Sequence, residues 1–586
     1  MTRRAMAPRH GATPRALLAT VLWAAACSAP PSSATPPGKV HDGPPAAAQV
    51  RDGIGVDIDT QAMRSSLFAN WDPFIDPEGL PVLYEWAIGT TPGGTELQAW
   101  ISNGGATSAV TQGLQLPEQA TLFVSVRAKD LAGNQSPIAT SDGVRIGSSP
   151  VGAPPAIGGA AAQPMPPDLV QAGGPAPGRL NAVERHGITW NFSQPAQCGR
   201  FANGDWWVLG PVELVEIRPR QDAADGRHRH GSMQNPDPKV ARQGYDSAIF
   251  AADPSTGFDP ALDVARGIST LQPLRLLPGT SLVSTISNPI AGQQPQLDTC
   301  AVLTCLAEPP APDAFRPPYC GTDKTCRWRA GALDLTRLAS LSPVEGTPDA
   351  VELAQRLERT WLDHAPGWTG RFLHPRDNMP DAGRDLADLV GQCALVLQLD
   401  LPEPRKRQLA LHLVQIGIDL YGIVENGGRF VTDGGSGAGR KFPVLLAGTL
   451  LQDDALLRCA REQKFAFAED AQTFYVAATD AGRWNHGHGG YGSDDEGLAE
   501  WGNRHADDPS QDQKPWTADP FRRCCTANAW LGFVLAARIM GLREAWGHPA
   551  LFDYLDRYLQ IETPRTWTRA WNPFAERMWD RYRADY

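Results

Sequence analysis

No apolar run in this 586-residue chain reaches the roughly 18 residues that a membrane-spanning helix requires, which excludes a polytopic membrane protein. Positive charge is also short. Lys and Arg number 53 against 64 Asp and Glu, a formal net charge of −11. That leaves no basic footprint for a nucleic acid, and a mild acidic excess bears on solubility more than on partners. The Gly-x-Ser-x-Gly nucleophile elbow is missing, with Gly435-Ser436-Gly437 standing outside it, so serine-type nucleophilic catalysis finds no support. The Gly-x-x-x-x-Gly-Lys-Ser/Thr spacing of a P-loop is missing too. No motif calls for a cofactor. Turn-formers, by contrast, are plentiful: 58 Gly and 52 Pro. With 18 Trp and 18 Phe the chain has too many large apolar groups for wholesale disorder. At roughly 150 residues per domain its length suggests about three to four domains and rules out a small disulfide scaffold.

Residues 1–27 read as an export signal. Arg3, Arg4, Arg9 and Arg15 make a basic start, and Ala16 to Ala26 is an apolar run of 11 residues, the length of a signal-peptide core. The run ends Ala24-Ala25-Ala26-Cys27, which resembles a bacterial lipobox, with Ala24 where that motif usually has Leu. The resemblance implies a lipidated Cys27 as mature N-terminus and attachment to the cell envelope by that lipid alone. An ordinary signal peptide cut at an Ala-x-Ala site would instead give a secreted protein. Residues 28–49 are rich in Pro and Ser and read as a tether. Export means an oxidising compartment, where cysteines pair. Cys320 with Cys326 and Cys300 with Cys305 are close enough in sequence to do so, or the two pairs bond across to each other. For the vicinal Cys524-Cys525, strain favours one of the two bonding elsewhere.

Residues 50–146 carry short alternating runs broken by turns: Leu67 to Trp71, Val82 to Ile88, Leu122 to Ala128 and Val144 to Ile146. This pattern predicts a β-sandwich. With Trp71 in an early strand, and Leu122-x-Val124-x-Val126-x-Ala128 running into the turn Ala132-Gly133-Asn134, the segment resembles a fibronectin type III domain. The family's corner tyrosine is here Leu122, so the corner hydrogen bond should be absent. The resemblance implies a spacer or binding module without catalytic residues. Asp52, Asp57 and Asp59 form no complete calcium loop and read as turn and cap residues. Residues 147–178 are Pro/Gly/Ala-rich and read as a linker.

Residues 179–332 predict a β-rich domain, with strands at Gly187–Phe192, Trp206–Ile217, Ser281–Ser287 and Ala301–Leu306. Residues 333–586 change to helical periodicity: a helix after Thr347-Pro348, then Gly383–Leu399, Pro404–Tyr421, Arg440–Leu451, Asp453–Ala471, Cys524–Leu542 and Ala550–Ile561. Short connections predict antiparallel hairpins. The fold class expected is therefore multidomain: a fibronectin type III-like β-sandwich, a β-rich domain, and an all-α helical-hairpin domain. A β-domain joined to helical hairpins resembles the (α/α)-toroid polysaccharide lyases and several glycoside hydrolases, the helices here sufficing for an incomplete toroid. The resemblance implies an enzyme cleaving a uronate-containing polysaccharide by β-elimination.

Elimination needs a base for the proton next to the carboxyl, a cation or amide facing that carboxylate, and an acid for the leaving oxygen. The long Gly-rich stretch Arg483–His505 is the densest in suitable groups. Tyr491 with His486 or His488 supplies candidate base and acid, while Trp484, Trp501 and His505 are candidate substrate contacts. Asn378, with His374 or Arg376 beside it, is placed to polarise a carboxylate, though Asn and Asp there also suit a helix entry. Arg429, Arg440 and Lys441 suit a polyanionic sugar, the last two at a helix start. Paired carboxylates among Asp494, Asp495, Glu496 and Glu500 would instead make a glycoside hydrolase. A third reading has no catalysis, with the β-regions binding glycan or cell wall. His228-x-His230 and His486-x-His488 have strand spacing but no evident third ligand, so no metal is expected.

Overall fold

The computed structural model describes residues 43–146 and 178–586, apart from 54–56, 62–65, 78–81, 105–106, 113, 115, 118, 131–132, 224, 250, 252–256, 366–368, 376–382, 431, 433 and 481–489. The expectations for Cys27, Arg376, Asn378, Trp484, His486 and His488 therefore fall outside the described residues, as do the leader and most of the tether and linker. No helix among the described residues is long and apolar enough to cross a membrane. The chain divides into two compact units, one on either side of residue 161.

Among the described residues of the first unit the regular elements are all β-strands. Its strands are β1 (Val50–Asp52), β2 (Thr60–Gln61), β3 (Ser66–Trp71), β4 (Leu83–Gly89), β5 (Gln98–Gly104), β6 (Ser108–Gln112), β7 (Thr121–Lys129), β8 (Ala139–Thr140) and β9 (Val144–Ile146). One sheet runs β1-β3-β6 and the other β2-β9-β7-β4-β5, with β8 against β7. This is the fibronectin-like sandwich read from the alternation. The inward positions Leu122, Val124, Val126 and Ala128 are all buried, because successive β-residues face opposite sides. Trp71 lies beneath the sheet with its ring centroid 5.6 Å from Tyr84, in edge geometry. Leu122 brings no hydroxyl, but Tyr84 supplies one elsewhere, its Oη accepting from Phe74 N at 3.0 Å. Asp52 and Asp57 act in turns: Asp57 Oδ1 accepts from Asp52 N (2.8 Å) and Asp52 Oδ2 from Gly143 N (3.0 Å).

The described residues from 178 onward form one unit, so the β-rich and helical stretches are not separate bodies. The strands are β10 (Gly178–Arg185), β11 (Ile188–Arg200), β12 (Trp206–Leu209), β13 (Val212–Arg218), β14 (Ser232–Gln234), β15 (Leu274–Leu276), β16 (Thr280–Ser287) and β17 (Leu297–Leu306). They form a sheet of order β14-β16-β17-β12-β11-β13-β15, with β10 against β11. Within it, only β12–β17 pairs in parallel. Both faces are covered. Leu282, Ala301 and Leu303 join Trp190 and Leu214 on one side, while Val283, Cys300 and Val302 join the helical core on the other.

This two-faced burial also explains the thiols. Cys300 and Cys305 are five residues apart on β17, an odd spacing that sends them to opposite faces. Cys320 lies in the helical core and Cys326 beside a third cluster. All four are free, and the expected short-loop disulfides do not form. The vicinal pair is the correction: Cys524 and Cys525 are bonded to each other.

The helices are α1 (Ala350–Gln355), α2 (Gly370–Leu373), α3 (Arg384–Val396), α4 (Glu403–Glu425), α5 (Lys441–Leu451), α6 (Asp454–Glu462), α7 (Ala468–Gln472), α8 (Ala527–Ile539), α9 (Arg543–Trp546), α10 (Pro549–Ile561) and α11 (Pro573–Tyr582). Between α7 and α8 a small hairpin intervenes, β18 (Thr473–Tyr475) with β19 (Ala499–Trp501). The single helix expected over Asp453–Ala471 breaks at Gln463, and Ala466 O then accepts from Phe430 N at 2.7 Å. A tie between sheet and helices is the buried Arg316. Its Nε donates to Asp205 Oδ2 (2.7 Å) beside β12, and its Nη2 to Asp419 Oδ2 (2.5 Å) on α4.

The layers fix two testable features. Helices α3 and α8 meet through Gly391 and Gly532, where a Cβ on Gly532 would stand 2.7 Å from Gly391 Cα. Gly532→Ala should therefore destabilise by about 1–3 kcal/mol through overpacking, despite a helix-propensity gain of about 1 kcal/mol. Denaturant unfolding measures it. Asp388 on α3 is buried, accepting from Gln392 Nε2 at 2.6 Å and Asn572 Nδ2 at 3.4 Å, and burial, outweighing these bonds, pushes its carboxyl up to about 7. Its unfolded value is about 3.9. Between those values the folded state holds the extra proton, so stability falls as pH rises through that window. Asp388→Asn should raise Tm at pH 8, change it little at pH 4, and flatten the slope between.

Candidate functional site

A cleft of about 580 Å³ opens between the loop after α4, the α7–β18 segment, residues 505–507 and the start of α10. All three residues of β18, Thr473, Phe474 and Tyr475, line it. Phe474 is buried and Tyr475 is 39 % exposed. Phe430, Phe465, Phe474 and Tyr475 give aromatic walls, and Arg429, His505 and Asp507 give charge and hydrogen bonding. Asp507 is the only carboxylate residue lining the cleft among the described residues.

His505 is positioned by the turn after β19. The chain reverses at Gly502, with His505 N donating to Gly502 O at 3.2 Å. A short helical turn, Pro509–Gln511, then brings back Asp512. His505 Nδ1 and Asp512 Oδ2 are 2.6 Å apart. Gly502 is required there, since a Cβ would lie 1.9 Å from Asp512 Oδ1. The imidazole stacks on Phe474, centroids 3.4 Å apart and planes 2° from parallel. With Nδ1 committed to the carboxylate, Nε2 is the nitrogen left for a ligand, an arrangement that fixes tautomer and ring orientation.

Behind the cleft wall lies a buried charge cluster. Glu500 on β19 accepts from Arg522 Nη1 at 3.0 Å, and its other oxygen pairs with Arg557 of α10. Arg522 also donates to Trp501 O and Gln513 O, each at 3.3 Å, and lies 4.7 Å from the Trp516 ring centroid. It begins a five-residue π-turn, Arg522–Thr526, that contains the Cys524–Cys525 bond and leads into α8. Burial works against its charge, but Tyr554 and Glu500 hold its protonated form above the ordinary range.

The sequence-expected residues divide accordingly. Tyr491, Glu500, Trp501 and His505 do come together. Only His505 of these lines the cleft, with Arg429 on the same cleft. Arg429 is exposed and pairs with Asp507 at 3.4 Å. Tyr491 is buried, edge-on to Phe474 at 6.2 Å, and burial, then Glu500 and Asp512, push its phenol well up, which disfavours a tyrosinate base. Trp501 is 1 % exposed and belongs to the core rather than to a sugar platform. Arg440 and Lys441 are corrected likewise. Arg440 Nε reaches Asp363 Oδ2 at 3.1 Å, and Lys441 pairs with Asp470 and donates to Trp546 O at 2.7 Å. Both are sealed inside, since a buried cation must be paired, and neither faces a polyanion. His374 is drawn into the same network, its Nε2 2.6 Å from Asp363 Oδ1.

The hydrolase carboxylates are dispersed in role. Asp495 caps Gly492 N (2.8 Å) and pairs with Lys514 (2.5 Å), while both Glu500 oxygens are taken. Sequence reading missed Asp512 and Tyr475. Nothing in the spacing of Asp512 marks it, because only the turn brings it to His505. Tyr475 Oη donates to Asp553, and burial with that carboxylate pushes its phenol up to about 12. His228 and His230 belong to no group of metal-ligating side chains. Among the described residues the one such group is Asp52, Asp57 and Asp142, whose oxygens lie within 4.8 Å of one another.

No family model matches the chain, and no curated protein matches it. Among solved structures it is similar to the PKD domain of an M14-like peptidase from a Thermoplasmatales archaeon, at 17 % identity over 18 % of this chain and 99 % of that one, TM-score 0.14. It is similar also to the FN1–FN3 domains of chicken CNTN1, at 12 % identity over 45 % and 69 %, TM-score 0.14. A third is the chitinase ChiA74 from Bacillus thuringiensis, at 12 % identity over 33 % and 20 %, TM-score 0.13.

Removing either partner of the Glu500–Arg522 pair leaves a buried charge short of its counter-ion, at about 3–5 kcal/mol. Glu500→Gln and Arg522→Met should each lower the unfolding free energy measured in urea by that amount. The double variant should cost less than the sum of the two.

Proposed function

We propose that the chain is an exported carbohydrate-active enzyme that cleaves a uronate-containing polysaccharide by β-elimination at the His505 cleft. In this proposal Cys27 is a lipidated anchor to the cell envelope and the helices are an incomplete (α/α) toroid. The observation that carries it is the His505–Asp512 pair, 2.6 Å apart, on the wall of an aromatic-lined cleft. Nε2 of His505 takes the proton from the carbon next to the uronate carboxyl. As that C–H bond breaks a C=C bond forms, and the C–O bond to the leaving sugar breaks with its electrons on oxygen. The imidazolium then returns the proton to that oxygen, so no second acid is required. Asp512 steadies the imidazolium charge. Arg429 faces the carboxylate, where negative charge grows; its exposed pair with Asp507 is worth about 0–1 kcal/mol and yields readily to substrate.

Proton transfer thus falls to His505 instead of Tyr491. Elimination is favoured over paired-carboxylate hydrolysis, because Asp507 is the only carboxylate lining the cleft among the described residues. The chain is to be incubated with a panel of uronate polysaccharides while ultraviolet absorbance of unsaturated ends is followed. A rise is expected on at least one. His505→Ala should then lower the rate by about 10²–10⁴-fold. Asp512→Asn should lower kcat with little change in KM, since Asp512 acts through the imidazole. New reducing ends without absorbance would replace elimination by hydrolysis. Neither signal on any substrate, with glycan binding retained, would leave a binding protein.

A further inference from the structure

A second cleft, of about 760 Å³, lies beyond the other end of α10, against α11. It is built on the loop 562–572, and this loop is firmly held. Asn528, buried in α8, donates its side-chain Nδ2 to Trp567 O at 3.1 Å, and its backbone O accepts from Trp571 N at 2.8 Å. Tyr558 Oη donates to Thr568 O at 2.5 Å. Arg569, buried, donates to Leu559 O (3.2 Å) and Asp580 (2.8 Å) and also pairs with Glu576. Out of this pinned backbone project Trp567 and Trp571, 56 % and 38 % exposed, the two most exposed indoles among the described residues. Leaving two such rings partly in water forgoes part of the gain from burying a large apolar side chain. An ordered loop that does so is presenting them. Arg384 already rests on Trp571, its Cζ 3.5 Å from the ring centroid.

Charge around the rings is uneven. Asp580 and Glu576 line the cleft and share one cation, Arg569, which leaves Asp580 half exposed as an acid at the rim. Arg565, Arg577 and Arg581 line it as well, all exposed, with Glu345 a further acid, so that with Arg569 counted the cations lead by one. Arg577 spends its Nε on Glu345 O at 2.7 Å, which fixes the stem and leaves the rest of the guanidinium fork. Flat apolar faces beside forked cations match a sugar ring that carries a carboxylate: the ring's C–H face stacks on indole, and the carboxylate meets a guanidinium.

We propose that this cleft is a second glycan-binding site, taking an acidic oligosaccharide on Trp567 and Trp571 with Arg565, Arg577 and Arg581 holding its carboxylates. The choice of a uronate as the acidic sugar rests on the function proposed above; the site itself does not. It lies past the C-terminal end of α10, whereas the His505 cleft lies at the N-terminal end, about 20 Å of helix away at 1.5 Å per residue. The two can therefore hold different stretches of one long chain.

The test is calorimetric titration of the full chain, carrying His505→Ala to prevent turnover, with hexamers of galacturonate and of mannuronate, and with cellohexaose as the neutral control. Binding of at least one acidic hexamer is expected, weakened by raising NaCl from about 50 to 500 mM, as paired charges are screened. Trp567→Ala with Trp571→Ala should weaken it at least tenfold, and Arg577→Gln severalfold. Unchanged Tm would show that these exposed substitutions leave the fold intact. Equal affinity for cellohexaose would overturn the acidic assignment. Binding indifferent to both Trp substitutions would overturn the site while leaving the His505 reading untouched. Failure of every hexamer to bind would overturn it as well. Binding lost with the tryptophans in a chain that cleaves no uronate polysaccharide would sustain this site and sink the proposed activity.

Discussion

The carboxylate of Glu500 stands where three elements would otherwise part. It belongs to the short strand β19, it accepts from the arginine that opens the π-turn before α8, and it pairs with an arginine of α10. A two-stranded hairpin of three residues a side is marginal by itself. β18 and β19 are such a hairpin, so this ion pairing with the aromatic cover of Trp501 and Trp516 is what gives His505 and Asp512 a fixed base. The same carboxylate cannot also serve as a mobile acid. Its full engagement is why the proposed proton transfer rests further along the chain, at the imidazole of His505.

Much of the fold is legible in the sequence because it depends on period. The strict alternation of Leu122 to Ala128 names the buried side of β7, and the helical period expected over Ala550–Ile561 meets α10 to within a residue. α11 carries its own signals, Asn572-Pro573 and the apolar series Phe574, Met578 and Tyr582, but it is short and comes directly after a tryptophan-rich loop, which masks it. Sequence does not say which charges end up inside. Arg440 and Lys441 begin a helix and carry two positive charges, which reads as an anion site. Only the tertiary placement of Asp363 and Asp470 converts them to internal pairs. The single unit formed by sheet and helices is hidden for a related reason. Burial on both faces makes β16 and β17 look like self-sufficient core strands, when half their side chains belong to the helical layer.

The site is half legible. His505 is visible as part of a dense polar-aromatic stretch, but its partner is not, since an aspartate seven residues on is ordinary until Gly502 allows the close approach. Tyr491 is visible for its chemistry and misplaced by it. A phenol with an unfavourable path to ionisation is a poor base, and burial is a quantity that composition does not record.

Two clefts at opposite ends of one helix impose a constraint on any polymer that uses both. α10 is itself anchored near its C-terminal end, by Arg557 to Glu500 and by Tyr558 Oη to Thr568 O of the Trp567 loop. These anchors are consecutive residues, so they leave the helix on different faces. The distance between clefts is therefore set by a rigid element and not by a linker. A chain long enough to reach across gains the second contact without a new ordering cost in the protein, and a shorter one gains nothing. Length dependence of binding is a consequence of that geometry, independently of which sugar the polymer carries.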